Sequence, residues 1–386
     1  MDHTLFKLQL MDRGLTLAQQ MTDLIAALIA TARRESDTLI VAYTHGQPAQ
    51  PSTFGHYLAA AIEVARRDCT RLIAALETVE LCPMGAAAIT TSGFPINRAR
   101  MADLLGFAAP LGNSYGCIAS VDYITGLYSA IKLVFLHLGR MIQDFQFWSA
   151  FEVGQLYVPN SFVQISSIMP QKRNPVPIEH MRHLASVTVG RCDTIVNTMH
   201  NTPFTDMNDS EGEVQQAGYA AFESGGRMVR LLTAFIPACS INADRVRANT
   251  DAACITVTEL ADTLVRDGGL SFRQAHEVAA ATARDVIARR VPLSEGHGAF
   301  AAAFAAQQGR AAPLDEPAFR TAVAPETFVA RRDRLGGPAP AALAASLDAE
   351  DAAWRDGLCA AIATKQTRRR NAADRLATAF AALLED

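Results

Sequence analysis

Apolar positions along this chain recur mostly at three- and four-residue steps. From residue 124, Ile124, Leu127, Tyr128, Ile131, Phe135, Leu138, Ile142 and Phe145 form one continuous stripe. It runs for more than about five turns and predicts a long helix facing other helices. A second helix is predicted from near Ser52, with Phe54, Tyr57, Leu58, Ala61, Ile62 and Ala65 on one side. Further helices are expected over 14–35, 175–200, 211–236 and 256–290, while strand-like alternation is weak. Alanine is abundant and aromatics are few, so the helices can approach closely and pack as a bundle.

Pro and Gly gather at 83–95, 105–116, 154–177 and 291–298, which marks breaks between helices. Beyond about residue 240 the periodic stretches shorten. The expected organisation is all-α: a long-helix bundle over 1–240, a smaller helical domain over 241–350, and a helical tail over 351–386. The basic run Arg368–Arg370 in the tail is expected to be a solvated face.

Composition narrows the classes of function. The 386 residues are 49% hydrophobic and 19% charged, which suits a packed globular or assembling chain. A net charge of −4 gives no reason to expect nucleic acid or a membrane surface as partner. The most apolar long stretch, 124–142, is interrupted by Lys132 and Arg140, too early for a membrane span. Seven scattered cysteines without a C-x-x-C pair read as free thiols in a reducing cytoplasm.

Two segments carry candidate chemistry. SSIMPQKRNPVPIEHMR, residues 166–182, is a polar, Ser-led loop running into a helix start. Asn174 suits the N-cap, Pro175 the first helical position, and Glu179 lies about a turn further on. Free N–H groups at that start, together with the Lys172 ammonium, make a pocket suited to a carboxylate. The other segment is YTHGQPAQPSTFGHYL, residues 43–58. It sets His45 between Thr44 and Gln47 in a Pro-containing connection before a helix. A distant carboxylate would fix such a histidine's orientation and raise its basicity; His56, already on the helix, reads as structural.

SSIMPQKRNP resembles the signature loop of the fumarase/aspartase superfamily, G-S-S-x-M-P-x-K-x-N. Its Gln-Lys-Arg-Asn form is similar to the argininosuccinate lyase branch, as is THGQPAQPSTFGHYL. MGAAAITTSGFPINR (84–98), NSYGCIASVDY (113–123) and FRQAHEVA (272–279) follow in the family's order, so the resemblance covers roughly 1–345.

The resemblance implies an anti β-elimination that converts an N-succinyl amine into fumarate and the free amine, without metal or cofactor. It assigns Ser166 as the base that takes a proton from the carbon beta to the leaving nitrogen, with Ser167 as runner-up. Lys172 would favour the serine alkoxide and stabilise the aci-carboxylate intermediate. His45, paired with Glu179, would assist proton transfer to the amine. Thr44, Gln47 and Asn174 would hold the dicarboxylate substrate, and Asn208 falls at a position that contacts the amine half. The resemblance also implies a homotetramer with active sites drawn from three subunits.

Four departures from the family pattern qualify this. Met1 falls just after the family's Ser-Arg-Asn-Asp loop, so the leading helical domain is expected to be absent. Three readings follow: a truncated chain, a loop supplied by another polypeptide, or weak or lost activity. Ile165 stands where the family has Gly, and Val121 replaces an Arg. PFTDMNDSEGE (203–213) replaces Y-N-x-D-x-Q-x-x-K, placing Pro203, Asn208 and Glu211 where Tyr, Gln and Lys hold the arginine arm. A Glu in place of that Lys disfavours argininosuccinate itself, although 206–213 also reads simply as an acidic helix start. The alternatives are a non-catalytic or partner-dependent subunit derived from a lyase, and a neighbouring adenylosuccinate lyase-like branch. Gln171 and FRQAHE argue against the latter.

Overall fold

In the computed structural model, which describes residues 2–209 and 211–385, the chain is built mainly of helices. Helix α1 (Asp2–Arg34) leads into a hairpin of β1 (Leu39–Thr44) and β2 (Gln47–Thr53), then α2 (Phe54–Val79). Short elements follow: β3 (Leu81–Cys82), α3 (Arg98–Leu105), β4 (Ala109–Pro110) and α4 (Gly116–Ala119). Next come α5 (Asp122–Trp148), β5 (Leu156–Tyr157), β6 (Gln164–Ile165), β7 (Arg173–Asn174), α6 (Val176–Thr198) and α7 (Glu213–Ala238). After β8 (Ser240–Ile241), the helices are α8 (Ala243–Ala253), α9 (Val257–Arg266), α10 (Phe272–Arg289) and α11 (His297–Gln308). The chain continues through α12 (Glu316–Ala322), α13 (Pro325–Ala330) and α14 (Pro340–Ala352). A π-helical turn then leads into α15 (Ala360–Glu385).

Five of the long helices, α1, α2, α5, α6 and α7, pack side by side around the main core. All eight residues of the 124–145 stripe are buried there, because a stripe at helical spacing gains most when another helix covers it. Helices α5 and α7 meet closely at Gly225, where a Cβ would lie 2.4 Å from the Phe135 ring. Both α1 and the Gly116–Trp148 stretch are long and apolar enough to cross a bilayer by length and composition, but much of each apolar window is buried inside the fold. A second cluster, from Cys254 to Val323, gathers Leu260, Leu264, Val278, Phe300, Phe304 and Phe319. Leu343, Leu347, Leu358 and Ile362 instead pack into the main core, so α14 and the start of α15 return to the bundle.

Several boundaries differ from the sequence expectation, each for a local reason. The connection before α2 is a six-pair antiparallel hairpin, and Thr53, not Ser52, caps the helix by accepting the His56 N–H. Pro51 is tolerated in a two-stranded ribbon because an edge position needs no N–H. The 256–290 stretch divides into α9 and α10 at Gly268–Gly269, with Gly269 at φ +71 and a Ser271–Gln274 capping box opening α10. The basic run is not a solvated face: Arg368 pairs with Glu80 and Arg369 with Asp12, leaving Arg370 exposed.

Candidate active site

The β1–β2 hairpin carries Thr44, His45 and Gln47. Thr44 pairs with Gln47 across a two-residue turn made by His45 (φ +53) and Gly46 (φ +74). Positive φ at both central positions matches the right-handed twist of the flanking strands, and histidine is among the non-glycine residues that enter this region. The turn holds the His45 ring exposed at the hairpin tip.

Ser166, Ser167, Lys172 and Asn174 lie on the second hairpin, formed by β6 and β7. Arg173 fixes its base. The guanidinium donates to Val158 O and Asn160 Oδ1, both at 2.8 Å, and sits 4.7 Å from the centre of the Tyr157 ring. Sequence reasoning passed over Arg173, whose only signal was its place between Lys172 and Asn174. The same pairing corrects the expected cap: Asn174 is drawn into β7 opposite Gln164, Pro175 takes the N-cap position, and no side chain caps α6.

Within the loop, the backbone N–H of Met169 donates to Ser166 Oγ at 3.1 Å, and that of Ile168 reaches it at 3.4 Å. The Lys172 N–H closes a turn on Met169 O at 2.9 Å. Two N–H groups aimed at one hydroxyl oxygen favour negative charge on it, which a serine acting as a base requires. Ser166 is half-buried; Ser167 and Lys172 are exposed. Glu179 is exposed in the first turn of α6, where a carboxylate suits the helix dipole. Asn208 is exposed in the connection before α7, and its carbonyl accepts the Glu211 N–H at 3.0 Å.

The candidates thus fall into three groups on one chain. Ser166, Ser167, Lys172, Asn174 and Glu179 share the β6–β7 hairpin and the start of α6; Thr44, His45 and Gln47 share the β1–β2 hairpin; Asn208 lies in the connection before α7. The cleft that His45 lines is walled by α2, α5 and residues 328–338, with no contribution from the 164–179 segment. Among the described residues, no three His, Cys, Asp or Glu side chains are grouped as a metal site would need.

Comparison with known proteins bears on what these groups are for. A lyase family model matches residues 2–190, and one for the argininosuccinate lyase C-terminal region matches 254–330. Argininosuccinate lyase 2 of Agrobacterium fabrum is 63% identical over 340 residues, which is 88% of this chain and 68% of that protein. This chain belongs to the argininosuccinate lyase family. The argininosuccinate lyase of Methanosphaera stadtmanae is 32% identical over 83% of this chain and 69% of its own length. An EDDS lyase variant with bound fumarate superposes with a TM-score of 0.88 at 28% identity, covering 98% of this chain and 75% of that one. The chain is therefore a carbon–nitrogen lyase, and its all-helical architecture is that of the superfamily.

In this lyase the unusual residues are locally accommodated. Ile165 sits in β6 opposite Arg173, in extended backbone that a β-branched residue favours. Val121 stands at the N-terminal boundary of α5 and packs against the main core, so an apolar contact occupies that position. Asp206 lies 3.7 Å from His3, and Phe204 stacks on Tyr115 with ring centres 6.1 Å apart. The 203–209 segment therefore rests against both the start of α1 and the 113–123 motif.

Proposed function

We propose that this lyase eliminates an amine from an N-succinyl compound, R–NH–CH(COO⁻)CH₂COO⁻, to give R–NH₂ and fumarate. Ser166 removes a proton from the CH₂ carbon, electrons move into the new C=C bond, and the C–N bond breaks. The leaving nitrogen gains a proton through His45, which Glu179 orients. Lys172 offsets the charge that builds on the carboxylate in the intermediate. Thr44, Gln47, Ser167 and Asn174 hold the dicarboxylate, and Asn208 faces the amine half. The observation that carries this reading is the pair of N–H groups directed at Ser166 Oγ in the loop next to Lys172.

The amine half carries positive charge, or lacks the carboxylate of the arginine arm. Asp206, Asp209 and Glu211 surround Asn208 in the segment where the family places a Lys. His45 and Ser166 come from different chains of a homotetramer; that the 164–179 segment does not line the cleft of His45 within one chain supports this. The assembly works in the cytoplasm, where seven free thiols persist.

The test is fumarate formation, followed by its ultraviolet absorbance, from a panel of N-succinyl amines that includes argininosuccinate. Turnover of a cationic member and poor turnover of argininosuccinate are expected. Absence of fumarate from every member would overturn the lyase reading. Argininosuccinate cleavage at least as fast as the rest would overturn the substrate assignment alone. Mixing His45→Ala with Ser166→Ala chains should restore part of the activity if the two residues meet across subunits.

A further inference from the structure

We propose that the cleft between the β1–β2 hairpin and the 328–338 segment binds an organic cation: an ammonium or guanidinium carried on a flat or apolar body. Of the residues assigned to the elimination only His45 reaches its rim; Ser166, Lys172 and Glu179 do not line it.

The cavity is about 680 Å³, the size of a small-molecule site. Its walls include Tyr43 from the hairpin, Tyr57 from α2, Phe147 and Trp148 from α5, and Phe328 from α13. The rings brace one another: Tyr43 meets Phe147 edge-on at 5.1 Å, and Tyr57 tilts against Trp148 at 4.6 Å. Electron-rich rings around a partly desolvated space attract cations and do little for anions.

The charges point the same way. The cation at this wall, Arg332, is already committed. Its guanidinium donates to the fully buried Glu259 at 2.5 Å and approaches Asp262 at 3.5 Å, and it lies 3.3 Å over the Phe328 ring. His56 has both ring nitrogens engaged, Nδ1 with Ser52 Oγ at 2.9 Å and Nε2 with Gly336 O at 3.0 Å. Asp144 also lines the cleft. Its Oδ2 accepts the Tyr57 hydroxyl at 2.8 Å, and its carboxylate remains exposed and able to accept more. The cleft therefore offers the exposed Asp144 carboxylate among aromatic rings, with Arg140 one turn earlier on α5 as the nearby cation. Arg332 already covers Phe328, so Tyr43, Tyr57 and Phe147 are the ring faces left for a ligand.

Isothermal titration of the full chain with benzylamine, and with benzyl alcohol as the neutral isostere, tests the proposal. Benzylammonium should bind once per chain and at least about tenfold more tightly than the alcohol. Asp144→Asn keeps the side-chain shape at an exposed position and should abolish that preference. Phe147→Leu should weaken the amine by about threefold to tenfold while Asp144→Asn still acts on what remains. Equal affinity for amine and alcohol, or an Asp144→Asn protein that binds the amine as tightly as the parent, overturns the site. Ser166→Ala should bind benzylamine unchanged, so loss of the lyase reading and loss of this one are read separately.

Discussion

Lys365 on α15 places its Nζ 2.7 Å from Oε2 of Glu80, at the end of α2 and 285 positions earlier in the chain. Arg368 reaches the same oxygen at 2.7 Å, and the Glu80 side chain is only 4% exposed. A carboxylate at a helix C-terminus opposes the helix dipole, so it persists here because two cations from α15 surround it. Glu80→Ala would leave both cations facing a buried gap. It should destabilise the fold by about 3 kcal/mol and expose α15 to protease before the bundle opens. Urea unfolding and timed proteolysis check this; an unchanged midpoint would mean the pair contributes nothing.

Ser166→Ala should lower fumarate formation by about a thousandfold, the scale of losing a positioned base. The Oγ bonds only within its own exposed turn, so the urea midpoint should move by no more than about 1 kcal/mol. A variant that kept a tenth of the parent's rate would move the base elsewhere, Ser167 being next in line.

Lys7 gives a pH dependence whose sign is set by burial. Its ammonium donates to Thr78 O at 3.0 Å and Leu81 O at 3.1 Å under the Tyr123 ring. Desolvation lowers its pKa from 10.5 to about 8, against the raising influence of Asp122. Between those values the unfolded chain holds the proton that the folded chain has released. This residue's contribution to stability therefore rises as pH rises from about 8 toward 10.5, by an amount on the order of 3 kcal/mol. Lys7→Met removes the donor to two carbonyls together with the alkaline gain. The parent's urea midpoint should rise relative to the variant's from pH 7.5 to pH 9.5. A constant gap would show that Lys7 titrates normally.

Six of the seven cysteines are buried, and burial pushes Cys69, Cys192 and Cys239 up to about 12. Thiolate is the reactive form, so these should resist modification in the native state. Cys359 is half-buried, and Ellman's reagent should titrate one slow thiol per native chain, absent in Cys359→Ser, and seven in denaturant. Rapid native reaction of several thiols would contradict the packing.

Much of this lyase was legible in its residue order. Helical spacing alone marked the 124–145 stripe, because a repeat near 3.6 residues has one stable use: a face covered by other helices. The ordered motifs led to the family, and the loop around Ser166 and Lys172 was recognisable because its chemistry is contiguous in sequence. The hairpin at 39–53 was less visible, since its strands are short, contain proline and lack clean alternation. The pairing of Arg368 with Glu80, the engagement of Arg173 with Val158, and the meeting of Tyr57 with Asp144 could not be read in advance. The first and last depend on where helices far apart in the chain come to rest, and the second on how two irregular segments fold back on each other; local periodicity carries no information about which charge or ring will face which. Sequence by itself determined the helices and the candidate loop. Tertiary packing decided which polar groups are buried, paired or left available, because burial and the approach of distant groups determine their energies.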